Sequence, residues 1–458
     1  MSSEPQTIED DDVFGVPARL FDDVLDAVEA QDAAALDALL NRQHAADVAA
    51  LLEQITPRDR RALLTLWKGG MDGEILSELD ESLRAEVIEG LAPAELAEAV
   101  RELETDDVVD LVADLDEDQQ EAVLTALPAT DRLAVEKALA YPEGAAGRLM
   151  QAEVVRVPEH WMVAEASDYL RSSIVLPDQF YHVVLVDPRM KPVGQVTLGR
   201  ILSSPAGTRL ARITEDTFRT FHVTDDAAEV ARAFSRYHLI SAPVVDDDGR
   251  LVGVITIDDA VLVLDEVHEE EVFALAGVGD GALSDSVIAT TRQRLPWLAV
   301  NLATAVLASL VIGLFEEALA GLVALAILMP IVASMGGNAG TQSLTVAVRA
   351  IATRELTAGN LRRVVLREAA VGAINGLVFA VVMGVVGYVW FGQIGLGLVI
   401  AAAMVINMVA AGLAGVAIPA VLDRFGIDPA ISSGTFVTTV TDVVGFFAFL
   451  GLAAWLLI

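Results

Sequence analysis

Apolar residues recur at a fixed spacing in the first third of the chain. A residue at every twelfth position leads a unit, and these leading residues are Ile55, Trp67, Leu79, Leu91, Leu103, Leu115, Leu127 and Leu139. Apolar or small residues occur again eight positions after each leading residue. Most leading residues are followed directly by a helix-starting residue, such as Thr56 after Ile55 or Asp80 after Leu79. This pattern predicts short helices stacked as a solenoid, in which each unit buries its leucines against the next.

A second repeat follows, in which two strand–turn–strand–helix patterns lie 59 positions apart. The runs at 184–200 and 244–259 both alternate short β-branched stretches with a tight turn, and they reach Thr197 and Thr256 at the same point. The repeat predicts two copies of one small α/β domain. An acid-rich helical stretch from Ile257 to Gly277 connects the second copy to the remainder of the chain.

Long uncharged runs dominate the last third. Crossing a hydrocarbon core takes about 20 residues, and the runs that reach this length are Leu295–Phe315, Ala318–Val348, Ala369–Leu422 and Pro429–Ile458. The turn Trp390–Gly395 divides the third run, so we predict five membrane helices. Arginines mark alternate loops, and the positive-inside rule therefore predicts a cytoplasmic N-terminus and a C-terminus outside the cell membrane.

Together these patterns predict a multi-domain protein with an all-α superhelical solenoid, an α/β domain pair and an α-helical membrane domain. The predicted segments are the solenoid at 1–140, the two α/β domains at 141–204 and 205–262, a connecting helix at 263–290 and five transmembrane helices within 291–458.

Charge also distinguishes the predicted membrane domain from the segments before it. There are 66 Asp and Glu residues against 30 Lys and Arg, a net charge of −36, and residues 280–458 contribute only nine acids and eight arginines. The acidic surface argues against nucleic-acid binding. An acidic surface with only three lysines is typical of proteins that work in concentrated salt. The alternative interpretation is a surface that attracts cations. The absence of cysteine excludes disulfides and thiolate metal sites.

Two features stand out inside the predicted membrane helices. Pro330 and the glycines that follow it either loosen the second helix or, through the Gly336/Gly340 pair, let helices pack closely. Asp442 lies deep in the last helix, where a carboxylate costs ~2.5–3.5 kcal/mol and must face protein or water. Thr438 precedes it by one turn on the same face. Carboxylate, hydroxyl and carbonyl oxygens suit a hard cation such as Mg²⁺ or Ca²⁺.

The order of these domains is similar to that of the MgtE family of magnesium channels and transporters, and the α/β pair resembles CBS (cystathionine-β-synthase-type) domains. The specific motifs are Pro330…Gly336-Gly-Asn-Ala-Gly-Thr-Gln342 and Asp428-Pro-Ala…Thr438-Thr-Val-Thr-Asp442. The resemblance implies a homodimer in the cell membrane with its pore on the two-fold axis, Mg²⁺ as both transported and regulatory ion, and no enzymatic activity.

The resemblance also implies site residues. The pore ion site takes Asp442, with groups from Gly336, Asn338 and Thr341, and Thr438 joins them by its position. In the family, cytosolic Mg²⁺ bound among the soluble domains closes the pore. The sensor candidates here are Asp259, Glu266, Glu269, Glu270 and Glu271.

CBS domains also imply a nucleotide site. Their Thr-x-x-Asp motif contacts adenine nucleotides, and Thr256 and Asp259 match it, whereas the first copy has Arg200 in place of the acid. One cleft therefore matches, and the sequence leaves open whether ATP binds there or whether the pair is one of the many that bind no nucleotide.

Three other functions compete with a magnesium pathway. The sequence does not distinguish Mg²⁺ transport from transport of Co²⁺, Mn²⁺ or Ca²⁺, or from a carrier coupled to protons through Asp442. An intramembrane aspartyl protease needs two carboxylates and a Gly-x-Gly-Asp motif, whereas Val440-Thr-Asp442 stands here. A nucleotide sensor without transport leaves an intramembrane aspartate unexplained. We therefore predict a transporter.

Overall fold

The protein divides into two compact units, Met1–Val267 and His268–Ile458. The computed structural model describes residues 16–67, 70–91, 93–113, 115, 117–172, 176–177, 179–276, 287–427 and 429–457. Asp428 of the second motif and residues 277–286 of the predicted connecting helix lie outside the described residues.

Short helices form the N-terminal part of the first unit. They are α1 (Ala18–Glu29), α2 (Ala33–Leu40), α3 (Ala45–Gln54), α4 (Pro57–Leu66), α5 (Gly73–Ser77), α6 (Glu81–Gly90), α7 (Pro93–Glu102), α8 (Thr105–Ala113), α9 (Glu117–Ala126) and α10 (Ala129–Leu139). Thr56 caps the N-terminus of α4: its side chain accepts a hydrogen bond from the Asp59 N–H, and Pro57 occupies the first helical position. Ile55, Trp67, Leu79 and Leu115 are buried. The predicted solenoid is confirmed.

Two buried arginines tie alternate solenoid units together. Arg60 and Arg84 lie 24 residues apart, two repeat lengths, and both are at most 5% exposed. Arg60 Nη1 lies 3.3 Å from Glu86, and Arg84 Nη1 donates to Asp110 at 2.8 Å. Their Nη2 atoms donate to backbone carbonyls where the preceding helices end, at Ile55 and Leu79. The arginines thus satisfy acceptors that a helix end leaves without an intrahelical partner.

The CBS pair contains two small three-stranded sheets that repeat each other. Their strands are β1 (Arg156–Pro158), β2 (His182–Val186), β3 (Pro192–Thr197), β4 (Phe221–His222), β5 (Ser241–Val245) and β6 (Leu251–Thr256). The orders are β1-β2-β3 and β4-β5-β6, each with a parallel first pair and an antiparallel second pair. His182 pairs with Thr197 as Ser241 pairs with Thr256, so the predicted 59-residue offset holds in the strand register.

Helices complete the two copies. They are α11 (Ala146–Leu149), α12 (Val163–Ser172), α13 (Leu198–Ser203), α14 (Ala227–Tyr237) and α15 (Ile257–Ala276). The first copy packs Val183, Leu185 and Val196 into its core, and the second packs Phe234 and Ile255. The alternating apolar positions of the two hairpins account for these cores.

The second unit is a bundle of long apolar helices. They are α16 (Val287–Gly313), α17 (Glu316–Gly321), α18 (Ala324–Ala352), α19 (Leu361–Phe391), α20 (Ile394–Arg424) and α21 (Pro429–Leu456). Within the described residues, all of these except the short α17 are long and apolar enough to cross a membrane, as predicted. The predicted run Ala318–Val348 is divided near Leu322 into α17 and α18.

The second membrane helix is continuous through its proline and glycines. α18 contains Pro330 within its helical span, and it buries Gly336 and Gly340 against neighbouring helices. A Cβ at Gly340 would lie 2.6 Å from Val437 of α21. Of the two interpretations of this motif, the structure favours close helix packing.

Candidate functional site

Carboxylates from the solenoid and from the second CBS copy converge within the first unit. Glu104 immediately precedes α8, and Asp106 and Asp107 lie in the first turn of that helix. Asp258 and Asp259 lie in the first turn of α15. Helix N-termini stabilise negative charge, which accounts for acids at both positions. We call these five residues the acidic junction.

Four acids of the junction, Glu104, Asp106, Asp107 and Asp259, have raised pKa values because burial removes them from water and neighbouring carboxylates repel them. Burial, followed by repulsion from Glu153 and Asp107, raises the pKa of Glu104 to about 7. Burial raises the pKa values of Asp107 and Asp259 to about 6. The pKa of Asp106, which is 7% exposed, is raised well above its ordinary value by burial and by Asp259. A bound cation would reverse the repulsion.

Polar side chains hold the junction in place. Thr105 Oγ1 donates to Glu153 Oε1 at 2.7 Å, and Gln151 Nε2 donates to Glu104 Oε2 at 2.7 Å. Glu153 Oε2 is buried without a hydrogen-bond partner among the described residues. Thr256 Oγ1 donates to Asp259 Oδ2 at 2.7 Å. These oxygens are the ligand type that Mg²⁺ prefers.

The junction gathers acids without closing them around an ion. Within the described ranges, no three His, Asp or Glu side chains are placed to hold a metal ion together. The donor set suits a hard, hydrated cation, which needs few direct protein ligands. Sequence reasoning found Asp259 but missed Glu104, Asp106 and Asp107. The available signal was a solenoid helix that begins with Thr105-Asp106-Asp107 next to buried apolar positions.

Of the other predicted sensor acids, Glu266 belongs to the first unit and Glu269, Glu270 and Glu271 belong to the second. Glu266 is seven residues beyond Asp259 and therefore about 10 Å further along α15. Glu266, Glu269 and Glu270 are exposed, and Glu271 is half-buried. The structure brings Asp259, and not Glu266, to the acidic junction.

One of the two predicted nucleotide residues, Thr256, lines a small space. Thr256 borders a cavity of ≈ 20 Å³ together with Gln151, His182 and Ser241, which is room for about one water. In the first copy, Arg200 donates through its guanidinium to the backbone carbonyls of residues 213 and 214. At the position where the motif has an acid, this side chain is therefore bonded to backbone carbonyls.

In the second unit, polar residues follow one face of α21 up to Asp442, which is half-buried. Thr438 Oγ1 donates to the carbonyls of Gly434 and Thr435, at 3.1 and 3.0 Å. Thr435 Oγ1 donates to Asn301 Oδ1 of α16 at 2.8 Å. The hydroxyl oxygens keep lone pairs that can accept hydrogen bonds from an ion's water shell.

The predicted residues of α18 lie on two different faces. Asn338 and Thr341 are exposed, and Thr341 Oγ1 donates to its own helix at the carbonyl of Gly337. Gly336 is instead buried against Asn407 of α20. Gly340 approaches Val437 and Thr441 of α21, so Asn338 and Thr341 lie near the level of Asp442. Exposed polar groups at membrane depth must meet protein or water.

The end of α15 packs inside the second unit. Ala274 and Leu275 lie against Leu344 and Val348 of α18 and Val437 of α21. The connecting helix therefore reaches the helices that carry the polar membrane residues.

Comparisons with known proteins agree with this arrangement. Family models match three segments: a divalent cation transporter at residues 329–452, an MgtE intracellular N domain at 43–144 and a CBS domain at 211–266. The chain is 34% identical over 439 residues to the magnesium transporter MgtE of Thermus thermophilus, covering 94% of this chain and 97% of that protein. It is 30% identical over 332 residues to the MgtE of Bacillus subtilis, covering 72% and 73%.

Solved structures are also similar to the soluble part. A structure described as the cytosolic domain of the Mg²⁺ channel MgtE in complex with ATP is 30% identical, with a TM-score of 0.49. The match covers 53% of this chain and 99% of that one.

Proposed function

Because this chain belongs to the MgtE family of magnesium transporters, we propose that its ion pathway passes Asp442 and is closed by Mg²⁺ bound at the acidic junction. The chain is a membrane-embedded transporter and not an enzyme. The observation that carries the pathway proposal is the half-buried Asp442 at membrane depth, at the end of a threonine-lined helix face.

The polar faces of α18 and α21 support the pathway. Asn338, Thr341, Thr438 and Asp442 offer amide, hydroxyl and carboxylate oxygens. Mg²⁺ sheds water reluctantly, so these groups bind it through its water shell, and Asp442 supplies the charge. Gly336 contributes close packing beside the pathway. Transport of Co²⁺, Mn²⁺ or Ca²⁺ is the competing function.

A homodimer is part of the proposal. Leu202 of α13 and Val261 of α15 occupy equivalent positions in the two CBS copies and are 77% and 48% exposed, and Leu262 beside them is 62% exposed. Apolar side chains concentrated on equivalent helices favour burial against a second copy. The N-terminus is cytoplasmic and the C-terminus outside in this arrangement, as the arginine distribution predicts.

The acidic junction supports regulation by cation. Without Mg²⁺, the like charges of Glu104, Asp106, Asp107 and Asp259 repel, and a divalent ion converts that repulsion into attraction. Glu266, Glu269, Glu270 and Glu271 remain predicted ligands on α15. ATP remains an expectation for Thr256 and Asp259, which already bond to each other.

The pathway is tested by Mg²⁺ flux into proteoliposomes. We expect Asp442→Asn to abolish flux while the protein elutes as the same oligomer as the wild type. The matched control is Asp423→Asn, which neutralises an exposed acid of the same unit, and it should leave flux unchanged. Normal flux in Asp442→Asn would contradict the assignment.

The sensor is tested by varying Mg²⁺ on the side of the soluble domains. Wild-type flux should fall as this Mg²⁺ rises, and Asp106→Asn should blunt the response. Glu269→Gln, an exposed acid of α15, is the comparison. If only Glu269→Gln alters the response, the sensor lies on α15 and not at the acidic junction.

A further inference from the structure

One polar residue at membrane depth has no role in the proposed pathway. Asn407 is the fourteenth residue of the 31-residue helix α20 and is completely buried. Its Nδ2 donates to the carbonyl of Val332 in α18 at 2.8 Å. Its Oδ1 is buried without a hydrogen-bond partner among the described residues. A buried amide with one acceptor unpaired is unfavourable, so its presence needs an explanation.

Two glycines on different helices make room for this amide. A Cβ at Gly336 of α18 would lie 2.2 Å from Asn407 Nδ2, and a Cβ at Gly445 of α21 would lie 2.7 Å from the same atom. Both distances are far shorter than carbon–nitrogen contacts, which are about 3.5 Å or more. The Asn407 side chain therefore fills the space between α18 and α21 only because both positions are glycine.

The three residues lie at the level of the predicted ion site. Gly445 follows Asp442 by three residues, less than one helical turn, and Gly336 precedes Asn338 by two. The Asn407 side chain thus touches α18 and α21, the two helices that carry the polar groups. On α18 it meets the face opposite to the exposed Asn338. Asn407 is placed to fix these helices without contacting the ion.

We propose that Asn407 is a positioning residue, which sets the separation of α18 and α21 beside Asp442 and thereby the width available to the hydrated ion. The proposal rests on the proposed role of Asp442. An ion that keeps its water is selected by cavity size, so a change in helix separation alters affinity and selectivity. Interhelical hydrogen bonds and small-residue packing are the forces that fix helix positions within a bilayer.

The first test is flux through Asn407→Ala in proteoliposomes. We expect the half-saturating Mg²⁺ concentration to rise about tenfold and the Mg²⁺/Ca²⁺ flux ratio to fall, because the bond to Val332 is lost. Met404→Leu, a volume-conserving change at a buried residue one turn earlier in α20, is the control and should change neither quantity. Wild-type half-saturation and selectivity in Asn407→Ala would overturn the proposal.

The second test is rescue between the touching residues, which applies even if Asn407→Ala assembles poorly. Gly336→Ala should abolish flux because its Cβ collides with the amide, and adding Asn407→Ala should restore a measurable part of it. Gly340→Ala, whose Cβ would meet Val437, should gain nothing from Asn407→Ala. Failure of the Gly336→Ala rescue, or equal rescue of Gly340→Ala, would overturn the proposal. Flux retained in Asp442→Asn would instead reject the ion site.

Discussion

Replacing Asp106 with asparagine should stabilise the acidic junction in the absence of divalent cations. Asp106 is 7% exposed, and burial and the neighbouring Asp259, Asp107 and Glu104 raise its pKa. Asparagine keeps the oxygen that accepts from the Asp107 N–H at 3.1 Å. The substitution therefore removes the charge while it keeps the local hydrogen bond.

The neighbouring pKa values give the magnitude. The pKa of Glu104 rises from 4.5 to about 7, and those of Asp107 and Asp259 rise from 3.8 to about 6. One unit corresponds to ~1.4 kcal/mol, and solvent screening reduces each group's effect to about 1–2 kcal/mol. The folded junction binds protons more tightly than the unfolded chain, so its stability should rise as pH falls from about 8 to about 4. At pH 8, Asp106→Asn should recover about 1–2 kcal/mol.

Hydrogen–deuterium exchange of the full-length protein measures this locally. In EDTA at pH 8, amides of residues 104–110 should exchange about tenfold more slowly in Asp106→Asn than in the wild type, after correction for intrinsic rates. Adding Mg²⁺ should slow the wild type more than the variant. Asp168→Asn, at an exposed acid of α12, should behave as wild type. Faster or unchanged exchange in Asp106→Asn would refute the repulsion argument.

Three further predictions concern other parts of the chain. Arg84→Ala should lower the free energy of unfolding by about 2–4 kcal/mol, because it leaves buried acceptors unpaired, whereas Arg61→Ala, whose side chain is 72% exposed, should change it by less than about 1 kcal/mol in thermal denaturation. Burial holds the pKa of His182 below its ordinary value despite Glu215, so the fold loses stability as pH falls below about 6.5 and the imidazole of the unfolded chain takes up a proton. The melting temperature should therefore differ less between pH 7.5 and pH 5.5 in His182→Gln than in the wild type, and an unchanged difference would contradict this. Trp455→Cys, the sole thiol in such a variant, should react with an impermeant maleimide only from outside the cell, and labelling from the cytoplasm would reverse the topology.

Periodicity predicted the architecture because it reports directly on burial. The twelve-residue spacing placed Ile55 and Leu79 in the solenoid core, and the 59-residue offset placed the CBS hairpins in register. The sequence around Pro330 did not predict whether α18 is continuous. The helices that pack against its glycines are distant in sequence.

The site was only partly predictable for the same reason. Asp442 stands out as a lone charge in an apolar run, and the sequence identified it. Asp106 is one acid among 66, and only its burial distinguishes it. The role of Asn407 could be inferred only from its contacts with Gly336 and Gly445, which belong to other helices.

The matching registers of the two CBS copies have an evolutionary consequence. His182 and Ser241 begin equivalent strands, and His182 Nδ1 lies 2.7 Å from Ser241 Oγ, so the two copies meet at the same position of their own sequence. Two histidines would crowd this contact and two serines would leave it unfilled. A change at one of the two positions alone would lose this contact, so we expect the two positions to covary among related chains.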